Sequence, residues 1–144
     1  MNIAKAMKVK NRNVARIKKI LGDVQKWNSV RVGEDVPVDV TSLWKDLKIE
    51  IDNLIEIKTK IAKATDPIRD KLIRLAELKS FISLISYLDT TSGKIYKRKS
   101  STDEVPEYAA AISATELNGT IEALQKGIDS LQDDIDEFNA KTSL

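Results

Sequence analysis

Lys94, Lys97, Arg98 and Lys99 crowd around Tyr96, while Asp129, Asp133 and Asp136 recur at spacings of four and three. These are the two constellations whose side chains could do chemistry. Cations interleaved with an aromatic ring suit phosphate contact with base stacking. That makes Lys94, Lys97, Arg98 and Lys99 a candidate anion-binding segment; the plainer reading is a solvated basic loop, since no helix-turn-helix or ribonucleoprotein signature accompanies it. The three aspartates, with Asp134 and Glu137 adjacent, could gather a hard cation such as Mg²⁺ through oxygen ligands. No Asp-x-Asp-x-Asp-Gly loop is present, so a solvated acidic helix face is the expectation, with no metal and no cofactor.

The chain has no cysteine and no histidine. Thiolate nucleophiles, disulfides, iron–sulfur clusters and zinc sites built on those residues are excluded. No imidazole is available as a base, so Ser-His-Asp and Cys-His mechanisms are excluded too. General acid–base work would require a strongly shifted Asp, Glu or Lys. A protein that is not an enzyme, with no catalytic residues, is the reading.

The net charge of +2 conceals a division. Residues 1–31 carry nine basic side chains against Asp23 alone, and residues 107–144 carry eight acids against Lys126 and Lys141. Ends of opposite sign are expected to pair with each other or with a neighbouring subunit. The alternative is a basic first helix free to meet nucleic acid or an anionic membrane surface.

The elements that position these groups are helical. With 42% hydrophobic residues, 5% aromatics and five glycines in 144 residues, the composition predicts an all-α fold in a single domain, 1–144. Four helices are predicted, at about 2–27, 42–64, 67–88 and 113–139, in an antiparallel bundle with coiled-coil-like packing. Ile3, Met7, Val14, Ile17, Leu21 and Val24 form the stripe of the first, with Lys10 at one of its positions. Leu43, Leu47, Ile51, Leu54, Ile57 and Ile61 form that of the second, capped by Asp39 or Thr41. Asp66-Pro67 is read as cap and first position of the third. There Ile73, Phe81, Leu84 and Tyr87 widen the apolar face, which places that helix centrally in a bundle or in an interface. Ser113 and Glu116 form a capping box ahead of the fourth.

The fourth helix carries an unbroken seam: Leu117, Ile121, Leu124, Ile128, Leu131, Ile135 and Phe138 alternate at spacings of four and three. It is a candidate oligomer seam. Gly119 and Gly127 lie off it, where they either admit a second helix closely or are simply tolerated. Irregular or short β segments are expected near 29–40, where a short hairpin or an extended loop around Pro37 both fit, and near 94–112, where residues 108–112 would run extended beside 94–99.

The opening Met1 to Met7, the run Asn28 to Glu34 with Pro37 and Asp39, and the closing Glu116, Leu117, Leu124, Leu131, Ile135, Glu137, Asn139, Thr142 and Leu144 resemble the septicolysin-like family. These are small bacterial and phage proteins, mostly without an established role. Asn28, Gly33, Glu34 and Asn139 are the informative matches. Ile61 to Thr65 and Glu107 to Ile112 depart from the family's usual residues, and the cytolysis implied by its name is not carried over.

The expected function is therefore that of a helical homo-oligomer, a structural or interaction protein whose partner is itself or another member of an assembly, with a phage or mobile element as its expected source. The alternative is a nucleic-acid-associated accessory protein using the first helix and residues 94–99. No stretch reaches the ~20 apolar residues of a membrane span. Residence in the cytoplasm or within a phage particle is the expectation.

Overall fold

The first helix begins because Asn2 adopts an extended conformation and its side chain accepts the backbone N–H of Lys5 at 2.9 Å, closing one of the four donors a helix start leaves unpaired. The computed structural model describes residues 1–96 and 105–144 and is helical over 72% of them. Helix α1 spans Ile3–Trp27, α2 Val40–Ala64, α3 Arg69–Ile85 and α4 Ala114–Lys141. Two strands of two residues, β1 (Gly93–Lys94) and β2 (Glu107–Tyr108), pair antiparallel, with Gly93 opposite Tyr108 and Lys94 opposite Glu107. The mostly α architecture matches the expectation, and the small sheet lies near the expected 94–112 but pairs 93–94 with 107–108 rather than 94–99 with 108–112.

The chain divides into two compact units: residues 1–69 with 136–144, and residues 70–135. In the first, α1 and α2 form an antiparallel hairpin in which Arg16 meets Glu50. The last turns of α4 and the C-terminal residues close against the start of α1. Ile3 donates its amide to the Thr142 carbonyl at 3.0 Å, Asn2 and Ser143 form an isolated antiparallel bridge, and the Asn2 side chain donates to the Ala140 carbonyl at 2.9 Å. The apolar core of this unit contains Ile3, Ala6, Val24, Leu47 and Ile68.

The packed line of α1 differs from the predicted stripe. Ile3, Ala6, Lys10, Asn13, Ile17, Ile20, Val24 and Trp27 are buried or half-buried, at spacings of three and four, whereas Met7 and Leu21 are exposed. The two heptad frames share Ile3, Lys10, Ile17 and Val24, and the predicted frame uses the larger apolar residues. In α2 the inward line is Val40, Leu43, Leu47, Glu50, Leu54, Ile57, Ile61 and Ala64, while Ile51 is exposed. A buried amide and a half-buried carboxylate thus stand in the two packing seams where leucine-like residues were expected.

Between α1 and α2 the loop alternative is the one realised, with no strand over 29–39. The chain instead turns at Gly33, with a φ of 92° and the Glu34 amide bonded to the Arg31 carbonyl at 3.0 Å. Val32 is fully exposed, so the alternating valines have no sheet to face. Asp39 is the cap of α2, accepting from the Ser42 amide at 3.1 Å. Asp66 does not cap α3. Asp66–Ile68 is one 3₁₀ turn containing Pro67, and Asp66 pairs with Arg69 at 2.9 Å. Thr65 turns its hydroxyl back to the Ile61 carbonyl at 2.9 Å.

In the second unit Lys71 of α3 reaches Asp134 of α4 at 3.2 Å, which makes the pair antiparallel. Leu75, Leu117, Ile128 and Ile135 are buried. α3 ends at Ile85 rather than 88, its last turn tightening as the Leu88 amide bonds to the Ile85 carbonyl at 3.0 Å. The serine arm of the predicted capping box is formed, the Ser113 hydroxyl accepting from the Glu116 amide at 3.1 Å. A Cβ built on Gly119 or Gly127 would meet nothing within 4 Å, so neither marks a close helix approach. Among the described residues no helix is long and apolar enough to cross a membrane.

Candidate functional site

Three features of the two units carry polar or interaction chemistry. The first is the cleft between α1 and α2, about 340 Å³, lined by Val9, Arg12, Asn13, Arg16, Glu50, Asn53 and Ile57. Asn13 is only 7% exposed. Its Nδ2 donates to both the Glu50 carbonyl, at 3.2 Å, and the Glu50 carboxylate. The other carboxylate oxygen accepts from Arg16 at 2.9 Å. Both oxygens of Glu50 are therefore engaged, by an amide and by a guanidinium, which fixes the side chain in place. Asn13 Oδ1 is buried without a partner, as is Asn139 Oδ1 at the other end of the unit. An unpaired buried carbonyl oxygen carries a desolvation cost that neighbouring contacts must offset.

This cluster was not foreseen from the sequence. Its signal lies in the second heptad frame of α1, where Asn13 falls ten residues after Ile3 and four before Ile17, and in Glu50 at the matching position of α2. One polar residue in such a seam specifies register at some cost in stability.

The second feature is the basic face of α1. Lys5, Lys8, Arg12, Lys19 and Lys26 are exposed along about 30 Å of helix, on the side away from Ile3, Ala6 and Val24. Arg16 is drawn to Glu50, and Lys26 lies 5.1 Å from the centre of the Trp27 ring.

The third is the exposed apolar residues at the end of α3 and in the two-stranded segment that follows it in the chain. Leu84 is 72% exposed, Tyr87 89% and Tyr96 77%, with Phe81, Leu88 and Tyr108 also exposed. The widened face of α3 is thus not central: Ile73, Phe81 and Leu84 lie opposite buried Leu75 and point outward. Asp89 anchors the chain here, its carboxylate accepting from the Thr91 hydroxyl and, at 2.9 Å, from the Thr91 amide. Those two donors hold the Asp89 carboxyl below its ordinary range, the hydroxyl contributing most.

Of the candidate anion-binding segment, Lys94 lies exposed in β1 beside a shallow depression with Tyr96, Val105, Pro106 and Glu107; Lys97, Arg98 and Lys99 fall outside the described residues. The α4 seam of Leu117, Ile121, Leu124, Ile128, Leu131, Ile135 and Phe138 is buried or half-buried throughout in the single chain. Leu117, Ile128 and Ile135 are its buried members, and the other four are half-buried. Asp129 accepts from Gln125 at 2.9 Å and Asp134 is paired with Lys71. Among the described residues no three acids gather as a metal-ion site. No family model, curated protein or solved structure matches the chain.

Proposed function

We propose that the protein is a non-enzymatic helical module that works by self-association, as a structural or interaction component of a larger assembly. The observation that carries this reading is the apolar surface left on the outer helix faces: Trp44, Ile51 and Ile55 on α2, and Ile73, Phe81 and Leu84 on α3. Exposed apolar residues grouped on one face of a helix mark interaction sites. The residues behind the septicolysin-like resemblance accord with a scaffold. Asn28 ends α1 by bonding its amide to the Val24 carbonyl at 2.9 Å, Gly33 supplies the positive φ of the turn, and Asn139 is buried in the packing. We include membership of that family, and origin in a phage or mobile element, within the proposal.

Light scattering across micromolar concentrations tests it. The expected mass is a multiple of the 16.1 kDa chain. A monomer throughout that range would remove the self-association reading.

The exposed cations of α1 favour a second reading, a nucleic-acid-associated accessory protein. Reversing Lys5, Lys8, Arg12 and Lys19 to glutamate discriminates the two. A complex with mixed-sequence DNA that persists near ~150 mM salt and is abolished by this reversal, with helix content kept, would support the accessory role.

A further inference from the structure

We infer that the outer face of α2 is a second packing seam on which a second copy of this chain docks, its own α2 running antiparallel. This rests on the self-association reading above and assigns it a place. Trp44, Lys48, Ile51, Ile55, Lys58 and Ala62 follow one another at spacings of four, three, four, three and four, and all six are exposed. Each comes directly after a member of the inward line that runs from Leu43 to Ile61, so this seam lies about 100° round the same helix. The inward line meets α1, as the Asn13–Glu50 contact shows. The outer one has the alternation by which one helix packs along another, sustained over ~27 Å of a single helix.

The two lysines do not break the seam. Lys48 Nζ lies 5.6 Å from the centre of the Trp44 ring, which joins those side chains into one surface. A lysine stem covers apolar neighbours while its ammonium stays in water. A cation at a seam position lowers the strength of a helix pair and helps to select its register.

Charge identifies the occupant and its direction. On the flank of the seam away from α1 stand Lys45 and Asp52, both exposed. Neither forms an ion pair among the described residues. They are separated by about 10 Å along the helix, too far to pair with each other. In an antiparallel pair of α2 helices, set Trp44 against Ile55 of the second copy and Lys48 against its Ile51. Lys45 then falls beside Asp52 of the second copy, and Asp52 beside its Lys45. This register forms two ion pairs related by a two-fold axis, as an isologous contact requires. Sliding by one heptad either way sets like against like, Asp52 on Asp52 or Lys45 on Lys45. A parallel pair leaves the two flanks on opposite sides of the contact. The face is therefore complementary to a copy of itself in one direction and one register.

The test is a charge exchange in the full chain. Lys45→Glu and Asp52→Lys each turn both ion pairs into repulsions, so each variant alone should self-associate roughly tenfold more weakly than the wild type. Mixed in equal amounts, the two should recover wild-type affinity as a one-to-one heterodimer. There the introduced glutamate meets the introduced lysine, and the remaining Asp52 meets the remaining Lys45. Native mass spectrometry with one partner isotopically labelled reads the composition. Ile51→Glu with Ile55→Glu should weaken association roughly a hundredfold, whereas Leu84→Glu with Tyr87→Ser, on exposed positions of α3 and beyond, should keep the wild-type mass. Circular dichroism should show the same helix content throughout. An oligomer insensitive to the α2 variants, or lost only in the α3 variant, would overturn the docking face while leaving self-association intact. Two weakened charge variants with no recovery in the mixture would overturn the antiparallel register. A monomeric wild type would overturn both readings and leave the stripe to a helix of another protein.

Discussion

Replacing Glu50 by alanine removes one carboxylate from two partners, and the structure sets what that should cost. Asn13, buried at 7% exposure, would keep its bond to the Glu50 backbone carbonyl but lose the carboxylate that accepts its other N–H. Leaving a buried donor unpaired costs about 1–3 kcal/mol. Arg16 is 60% exposed, so its lost pairing adds well under ~1 kcal/mol. Alanine is a slightly better helix former and returns a few tenths of a kcal/mol. The expected loss is about 2 kcal/mol, or a fall of roughly 6 °C in Tm for a chain of this size.

The coupling is the sharper quantity. Asn13→Leu removes both the stranded N–H and the unpartnered Oδ1, and puts an apolar side chain in an apolar seam. In that background Glu50→Ala should cost less than about 1 kcal/mol, giving an interaction energy of roughly 1–2 kcal/mol in a double-mutant cycle. Urea unfolding of the four proteins, followed by circular dichroism, measures it. If Glu50→Ala costs the same in both backgrounds to within ~0.5 kcal/mol, the Asn13–Glu50 contact contributes nothing and the reasoning fails.

Gly119→Ala and Gly127→Ala should each stabilise α4 by about 0.5–1 kcal/mol, because a Cβ enters open space and the unfolded chain loses freedom; a fall in Tm for either would show an unseen neighbour. Asp39→Ala should destabilise by about 1 kcal/mol through loss of the bond from the Ser42 amide, read as a lower urea midpoint. Asp89 should titrate below the ordinary carboxylate range when followed by carboxyl NMR, and Thr91→Ala should move it upward. Since its folded pKa is lowered, its contribution is present above the unfolded value near ~4 and is lost as pH falls through the folded one. An ordinary titration in the wild type would contradict the Thr91 contact.

The four helices were legible because each carries a long apolar repeat bounded by turn or capping residues. Their boundaries held to within three residues at every end. The faces were read less well, for a definite reason. In α1 two heptad frames coincide at Ile3, Lys10, Ile17 and Val24, and hydropathy prefers the one containing Met7, Val14 and Leu21. Packing selected the other, in which Ala6 is small enough to be wholly buried and Asn13 has a carboxylate to meet across the hairpin. Periodicity within one helix cannot register a partner supplied by another helix, so the Asn13–Glu50 pair stayed hidden although both residues lay at seam spacing. Asp66 failed as a cap for a related reason: Pro67 suits a 3₁₀ turn as well as a first α turn, and the two differ only in how the chain enters α3.

The surface was legible in composition but not in direction. The excess of apolar residues on α3 predicts a central helix or one in an interface, and in the single chain that widened face is exposed. Buried Leu75 and exposed Leu84 are both leucines in the same helix. What separates them is angle, since residues nine apart are rotated by about half a turn. The α4 seam makes the converse point. A strict heptad is what a helix needs to pack along another, and it says nothing of whether that other helix belongs to the same chain. Here every residue of the seam is buried or half-buried in the single chain, while Leu84 and Tyr87, outside it, stay exposed.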